Sequence, residues 1–131
     1  MLKKIALVFL GGAIGAAVRE FLVLGGSTFH GHFPSAILVA NLTAAFLIGL
    51  VTALTVKKDL IDQDIQLFVV TGMMGGLSTF STLIWGTVML VREPGQAWIG
   101  WSYLAISLAA GLALVELGLR FGTSLRRARL E

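Results

Sequence analysis

The chain has 131 residues, of which 56% are hydrophobic and 13% charged, and its mean hydropathy is +0.90. That composition excludes a water-soluble fold of this size and indicates an integral membrane protein. The net charge of +3 does not indicate nucleic-acid binding, because the basic residues cluster at the ends of apolar runs, where they anchor topology. The chain has no cysteine, which excludes disulfides and thiolate chemistry.

Four apolar segments are long enough to cross a bilayer. A hydrocarbon core about 30 Å thick requires roughly 20 helical residues, and the sequence predicts spans at 5–24, 35–56, 65–91 and 98–121. Short polar connections separate them, with Pro34 before the second span and a turn at Pro94-Gly95. We therefore predict an all-α integral membrane protein, a single four-helix transmembrane domain over residues 1–131, located as a multi-pass protein in the cell inner membrane.

The first span combines small residues with one charge. Gly11 and Gly15 lie four residues apart, which predicts a face that another helix approaches closely. Arg19 lies within the apolar run, where a charge costs about 2.5–3.5 kcal/mol at a helix centre; it either snorkels to the interface or lines a wet vestibule. The basic start and the small residues also resemble a signal peptide, an alternative that the continuing apolar run disfavours.

Asn41 and Glu116, polar residues in two other spans, each allow two functional interpretations. Asn41 lies within the second span and either bonds to a neighbouring helix or donates to a permeating anion. Glu116 in the last span suggests proton coupling, unless its carboxylate reaches the interface. His30 and His32 share a loop without other ligands and are interpreted as solvated rather than metal-binding. Four short helices leave little room for an internal pathway, so we expect an oligomer.

The third span contains the stretch GGLSTFSTL, residues 75–83. Glycine in a helix interior costs up to about 1 kcal/mol relative to alanine, and unwound backbone in hydrocarbon needs internal partners or a cavity. Glycines at 72, 75 and 76 weaken the helix, and hydroxyls at 78, 79, 81 and 82 can bond to freed backbone groups. We predict a helix broken near its middle, an arrangement that builds ion sites within membranes.

This stretch, together with GGAIGAAVR in the first span and VANL in the second, resembles the fluoride channel family called Fluc or CrcB. The resemblance covers nearly the whole chain and the order of its four spans. It implies an antiparallel, dual-topology-type dimer with two narrow pores that passively release cytoplasmic fluoride and so give fluoride resistance. It also implies a structural sodium ion, not transported, held between the subunits by backbone oxygens that correspond to Gly75 and Ser78.

The resemblance further implies a fluoride path with a vestibule: Asn41, Phe80, Ser81, Thr82 and Leu83 along the path, and Arg19 in the vestibule. The amide and the hydroxyls are uncharged donors for a strongly hydrated anion, and a phenyl ring presents a positive edge to it. The chain departs from the family pattern where Leu83 replaces a second phenylalanine, Ile84 a serine and Gly86 a glutamate. One aromatic ring of the expected path is therefore missing.

The basic residues are distributed unevenly between the two ends of the spans. If the N-terminus, the second loop and the C-terminus share a side, that side carries most of them, against Arg19 and Arg92 toward the other: Lys3, Lys4, Lys57, Lys58, Arg120, Arg126, Arg127 and Arg129. This bias predicts a fixed orientation with both termini in the cytoplasm. An antiparallel homodimer requires both orientations, so the alternative is a heterodimer with an oppositely oriented homologue.

Three functional hypotheses follow, and none is enzymatic, because no constellation of catalytic residues is present. The first is a fluoride channel subunit that binds fluoride, sodium and membrane lipid. The second is a pore-degenerate partner subunit of a heterodimeric fluoride channel. The third is a small proton-coupled multidrug exporter; it is disfavoured because that family relies on a glutamate deep in the first helix, where this chain has glycine and alanine.

Overall fold

The computed structural model describes residues 1–26, 33–55 and 62–130, and within these ranges the chain is helical. Helix α1 runs over Leu2–Gly26, α2 over Ser35–Thr55 and α6 over Ala97–Leu130. Four helices are long and apolar enough to span a membrane: Leu2–Gly25, Ser35–Thr55, Gln63–Arg92 and Ala97–Ala128. The prediction of an all-α chain with four helices able to span a membrane is thus confirmed. The last helix continues well beyond residue 121, and the prediction for His30 and His32 lies outside the described residues.

The third span is divided into several segments rather than one continuous helix. It begins with α3 (Gln63–Gln66), widens into a π-helical segment (Leu67–Met74) and ends its first half with α4 (Gly75–Leu77). After two non-helical residues, α5 (Phe80–Arg92) forms the second half. The predicted break is confirmed. The π-helical segment was not predicted; such wide turns are rare in proteins and occur frequently near functional sites.

Helix α1 lies against the first half of the third span, with backbone close to backbone. A methyl group added at Gly15 would overlap the carbonyl oxygen of Met73, and one added at Gly76 would overlap that of Gly12. At Gly72 the added carbon would lie 2.9 Å from the Cα of Gly11. The small-residue face predicted on the first span is therefore a helix–helix seam, as such patterns indicate in membranes.

A second glycine seam joins α2 to α6. A methyl group at Gly49 would overlap the carbonyl oxygen of Val115, and one at Gly118 would overlap that of Phe46. Two small buried clusters complete the packing: Ala40, Ala44, Met74 and Leu77 in one, and Leu83, Leu90 and Tyr103 in the other. The first seam holds the first half of the third span against α1, and the second holds α6 against α2. The groove described below lies between α2, α6 and the break.

The N-terminus of α1, the C-terminus of α2 and the C-terminal part of α6 lie at one end of the bundle. Lys3 at the start of α1 forms an ion pair with Asp64 at the start of the third span. Arg126 of α6 donates to the carbonyl oxygen of Ala53, in the last turn of α2, at 3.3 Å. Arg92 ends α5 on the opposite side, before a turn in which Gly95 adopts a φ of 78°. For the described residues, the uneven charge distribution thus corresponds to two ends of the molecule; Lys57 and Lys58 of the predicted set lie outside them.

Candidate functional site

The break in the third span consists of Ser78 and Thr79. Ser78 has φ −76° and ψ 149°, and Thr79 has φ −149° and ψ 119°, so both are extended. Two extended residues in the middle of a membrane span leave helical carbonyls before them and helical amides after them without their usual partners. Because no water competes in hydrocarbon, each of these groups needs a partner from the protein or from an ion.

Asn41 of α2 bonds to the break in both directions. Its side-chain Nδ2 donates to the carbonyl oxygen of Thr79 at 3.1 Å, and its Oδ1 accepts from the Thr79 amide at 2.7 Å. The side chain therefore pairs with one peptide residue much as a neighbouring strand would. Of the two roles left open for Asn41, the bond to a neighbouring helix is observed. The amide nitrogen carries a second hydrogen that these bonds do not use.

Arg19 of α1 contacts the end of the first half of the third span. Its Nη1 donates to the carbonyl oxygen of Gly76 at 3.0 Å. A cation is favoured there because the last carbonyls of a helix carry partial negative charge. The structure thus places Arg19 beside the break, facing backbone, rather than extended toward the interface. The vestibule role of Arg19 stays a prediction.

The hydrogen-bond partners of Ser78 and Thr79 determine which amide donors are left for the carbonyl oxygen of Gly75. The amide of Ser78 donates to the carbonyl oxygen of Met74 at 2.9 Å, and the Ser78 hydroxyl donates to the same oxygen at 2.8 Å. The amide of Thr79 is bound by Asn41. These two amides are the donors that 3₁₀ and α-helical geometry would direct at Gly75. Its carbonyl oxygen therefore loses both usual partners.

Thr79 caps the second half of the third span. Its Oγ1 accepts from the amide of Thr82 at 3.3 Å and lies 3.1 Å from the Thr82 hydroxyl and 3.2 Å from that of Ser81. A threonine that precedes a helix commonly satisfies one of its first four amides in this way. The remaining amides point back toward the break. They give the start of α5 a partial positive charge near the middle of the span.

An open groove of about 340 Å³ runs along the break. It is bordered by α2, the third span and α6, with these residues among its lining: Asn41, Ser78, Thr79, Phe80, Leu83, Ser107, Gly111, Leu112 and Val115. The Phe80 side chain is exposed in the single chain, with 70% of its surface accessible. Leu83, one turn further on, is only 4% accessible and packs with Tyr103. The two positions expected to carry the path's aromatic rings therefore differ in exposure.

The residues predicted from the sequence form two groups. Most gather at the groove or at the cap beside it: Asn41, Ser78, Phe80 and Leu83 line it, and Ser81 and Thr82 bond to Thr79. Arg19 of α1, which contacts the first half of the third span, and Gly75 in that half lie outside the groove lining. Glu116 forms an ion pair with Arg120 at 2.7 Å and is exposed in the single chain; the two interpretations of this carboxylate stay predictions.

Sequence reasoning did not single out the contribution of α6 or the pairing of Thr79. Ser107, Gly111 and Val115 recur at four-residue spacing and line the groove, a periodicity that indicates one helix face. The hydroxyl of Ser107 donates to the carbonyl of Tyr103 at 2.6 Å, within its own helix. Thr79, directly before the apolar run of α5, is also an N-cap signal in the sequence.

Comparison with known proteins connects this geometry to a family. The family model described as CrcB-like protein, Camphor Resistance (CrcB) matches residues 6–119. A protein named Fluoride-specific ion channel FluC 3 from Yersinia pseudotuberculosis is 48% identical over 93% of this chain and 90% of its own length. Fluoride-specific ion channel FluC from Clostridium perfringens is 34% identical over 86% of this chain and 88% of its own.

A third relative shows that the match also occurs within longer proteins. Fluoride-specific ion channel FluC 1 from Brucella abortus is 44% identical over 93% of this chain, and the match covers 45% of that protein. The family model and the first two relatives span most of the chain, including all four helices and the break. The chain therefore belongs to the CrcB family, whose relatives here are named as ion channels and not as enzymes.

Proposed function

We propose that this chain is a subunit of a fluoride-specific ion channel that lets cytoplasmic fluoride leave the cell passively and so gives fluoride resistance. The observation that carries this proposal is the start of α5 inside the span, where Thr79, Phe80 and Leu83 border an open groove. The amides of a helix N-terminus favour an anion. The names of the relatives supply the identity of that anion.

The chemistry of the groove suits a small, strongly hydrated anion. A pore for such an ion has to replace its water with donors, and still let the ion leave. The second amide hydrogen of Asn41, the hydroxyl of Ser81 and the edge of the Phe80 ring offer donors or positive partial charge without a fixed cation. Among the described residues that line the groove, none carries a carboxylate. We assign the fluoride path to these side chains together with Thr82 and Leu83.

The open side of the groove supports an assembly of two chains. Phe80 is 70% accessible and Leu112 76% accessible along the groove in the single chain. An anion moving there would be exposed to hydrocarbon, where desolvation of a charge is very costly. A second chain packed on this face excludes lipid from the path. We propose the antiparallel dimer implied by the family resemblance, as a homodimer or as a heterodimer with an oppositely oriented homologue.

The proposed sodium site rests on the carbonyl oxygens at the end of α4. Gly76 is bonded to Arg19 and Thr79 to Asn41, whereas the carbonyl of Gly75 has lost its two usual donors. Among the described residues, no three His, Asp or Glu side chains gather to hold a metal ion. Backbone oxygens are suitable ligands for a hard monovalent cation. Gly75 and Ser78 would hold sodium as a structural ion between the two chains.

The location follows from the charge at the two ends of the bundle. Lys3, Lys4, Arg120, Arg126 and Arg127 lie on helices that end on one side, and Arg92 lies on the other. Positively charged segments remain in the cytoplasm during insertion. We therefore propose an inner-membrane protein with both termini in the cytoplasm.

A second candidate function is that of a pore-degenerate partner in a heterodimer. The observation that favours it is the contrast between the accessible Phe80 and the buried Leu83, which leaves one ring at the groove instead of two. The relatives are numbered in their names as FluC 1 and FluC 3, which accords with organisms that carry several such chains. The exporter hypothesis lacks comparable support, because Glu20 is exposed near the end of α1.

Reconstitution separates these candidates. Fluoride efflux from liposomes would be measured with a fluoride electrode, using this chain alone and this chain mixed with an oppositely oriented homologue. A self-sufficient channel releases fluoride in both preparations, and a degenerate partner only in the mixture. Asn41→Asp in this chain serves as the blocked control. If neither preparation releases fluoride faster than empty liposomes, the proposed function is wrong.

A further inference from the structure

The C-terminal part of α6 carries a charged and hydroxylated face that the channel function does not use. Arg120, Thr123, Ser124 and Arg127 follow one another at helical spacing and line a shallow pocket of about 410 Å³ with Glu116 and Leu119. Residues three, four and seven apart lie on the same side of a helix. This side differs from the one that packs on α2, where Gly118 and Gly122 make the contacts.

The depth of this face can be estimated from the break. The break lies close to the midpoint of the third span, Gln63–Arg92, and Gly111 borders the same groove as Ser78 and Thr79. At 1.5 Å per residue, Arg120 lies about 14 Å and Arg127 about 24 Å further along α6. The hydrocarbon core ends about 15 Å from the midplane, and the headgroups extend to about 22 Å. The face therefore crosses the headgroup layer.

A contact with α2 supports this depth independently. Arg126 reaches the carbonyl of Ala53, so this part of α6 is level with the last turn of α2. Helix α6 continues to Leu130, beyond the end of α2 at Thr55. The extra turns thus stand at the membrane surface on the side that carries the other terminal basic residues, including Lys3.

The charges on the face are only partly balanced within the chain. Glu116 accepts from the Nε of Arg120 at 2.7 Å, and this bond does not use the Nη groups of Arg120. Arg127 forms no hydrogen bond or ion pair with any residue in the described ranges. With Arg120 and Arg127 against Glu116, the pocket carries one net positive charge. The hydroxyl of Ser124 lies between the two arginines along the helix.

We propose that this face binds the phosphate of an anionic phospholipid, such as phosphatidylglycerol, in the cytoplasmic leaflet. Two guanidinium groups spaced two helical turns apart, with a hydroxyl between them, match a phosphodiester better than a single surface charge does. Basic residues near the surface of an anionic leaflet strengthen such binding. The bound lipid would hold the long end of α6 at the cytoplasmic surface and favour one orientation of the chain.

Native mass spectrometry of the detergent-solubilised protein tests this proposal without any measurement of fluoride transport. Wild type, Arg120→Gln/Arg127→Gln and Arg92→Gln would each be titrated with phosphatidylglycerol, phosphatidylcholine or inorganic phosphate. Arg92 is the matched control, an exposed arginine at the opposite end of the bundle. We expect wild type and Arg92→Gln to retain phosphatidylglycerol, and the double variant to retain one lipid fewer per chain with at least tenfold weaker apparent affinity.

Further measurements distinguish binding of the lipid from binding of free phosphate, and they provide variants for the case that the double variant does not fold. Inorganic phosphate alone should not be retained, because the acyl chains hold the lipid beside α6. Should the double variant fail to fold, Arg127→Gln alone should still weaken retention at least threefold, and Arg127→Lys should largely restore it. Equal retention of phosphatidylglycerol by wild type and the double variant overturns the proposal. Dissociation of the dimer with unchanged lipid retention also overturns it, because the face would then be an interface between copies.

Discussion

The two helix ends that meet at the break have opposite electrostatic character. The first half of the third span ends in carbonyl oxygens, of which Gly76 binds the guanidinium of Arg19. The second half begins with amide groups, of which one is capped by Thr79. Only Ser78 and Thr79 separate the negative end from the positive end. Unwinding two residues thus creates a place for a cation and a place for an anion side by side.

Asn41 forms hydrogen bonds that affect both helix ends at the break, so one side-chain amide influences the cation end and the anion end. By accepting from the amide of Thr79, its Oδ1 removes the donor that would otherwise reach Gly75. By donating to the carbonyl of Thr79, its Nδ2 holds the residue that caps α5. The cation end and the anion end therefore depend on the same side chain. Substitutions at and around the break can separate the two ends experimentally.

The largest effect is expected for Asn41→Asp. A carboxylate can accept from the amide of Thr79 but cannot donate to its carbonyl, and it adds a negative charge at the anion end. We expect fluoride efflux from liposomes to fall to the level of empty vesicles. Gln66→Glu, which adds the same charge at the end of α3, is the control and should retain efflux. Unimpaired efflux in Asn41→Asp would remove Asn41 from the fluoride path.

Alanine substitutions at the neighbouring glycines Gly75 and Gly76 test how the first half of the third span packs on α1 at the cation end. A methyl group at Gly76 would overlap the carbonyl of Gly12 and lie 3.0 Å from the amide nitrogen of Ala16, whereas one at Gly75 meets nothing within 4 Å. Overpacking against backbone typically costs about 1–3 kcal/mol or more. Gly76→Ala should therefore lower the thermal stability of the detergent-solubilised protein strongly, whereas Gly75→Ala, which meets no atom of its own chain, should lower it less. Equal melting temperatures for the two variants would contradict the observed seam with α1.

Sodium dependence is a smaller effect that concerns the same end. Above the dissociation constant, each tenfold reduction in sodium should lower the stability of the dimer by about 1.4 kcal/mol for each ion bound. Replacement of sodium by a large organic cation at constant ionic strength should lower the melting temperature measured by tryptophan fluorescence. A melting temperature that is independent of sodium over several decades would argue against the site at Gly75 and Ser78.

The smallest effect is expected for Leu83→Phe, at the anion end. Leu83 borders both the groove and the cluster with Leu90 and Tyr103, so a larger ring has to crowd the cluster or turn toward the groove. We expect a stability loss of about 1–3 kcal/mol, together with a faster efflux per folded dimer, because the ring adds a positive edge. Leu83→Met, of similar volume and without that edge, should not speed efflux. Equal rates in Leu83→Phe and wild type would make the second ring dispensable.

The sequence was sufficient to predict that the chain has four spans and that the third is broken, because both features depend on composition and local helix propensity. Apolar runs of sufficient length have few alternatives in a bilayer, and the concentration of glycines and hydroxyls at residues 75–82 marked where the third span is interrupted. The seam on α1 was also readable from Gly11 and Gly15 at four-residue spacing. These features are local in the chain and need no knowledge of which helix lies opposite.

The parts that could not be predicted depend on which residues face each other across the bundle. Nothing in the neighbourhood of Asn41 indicates that it bonds to both backbone groups of Thr79, 38 residues away. The contact of Arg19 with Gly76 and the burial of Leu83 against Tyr103 likewise result from helix packing. Nothing in the sequence of residues 67–74 indicated the π-helical segment.

The central claim is that this chain forms a fluoride path beside the break in its third span. The most direct test is fluoride-electrode recording of efflux from liposomes that contain the chain alone or with an oppositely oriented homologue, with chloride efflux measured in parallel. The account predicts rapid, fluoride-selective efflux from a preparation that contains this chain, and its loss in Asn41→Asp. Efflux no faster than from empty liposomes in both preparations, or equal permeation of chloride, would contradict it.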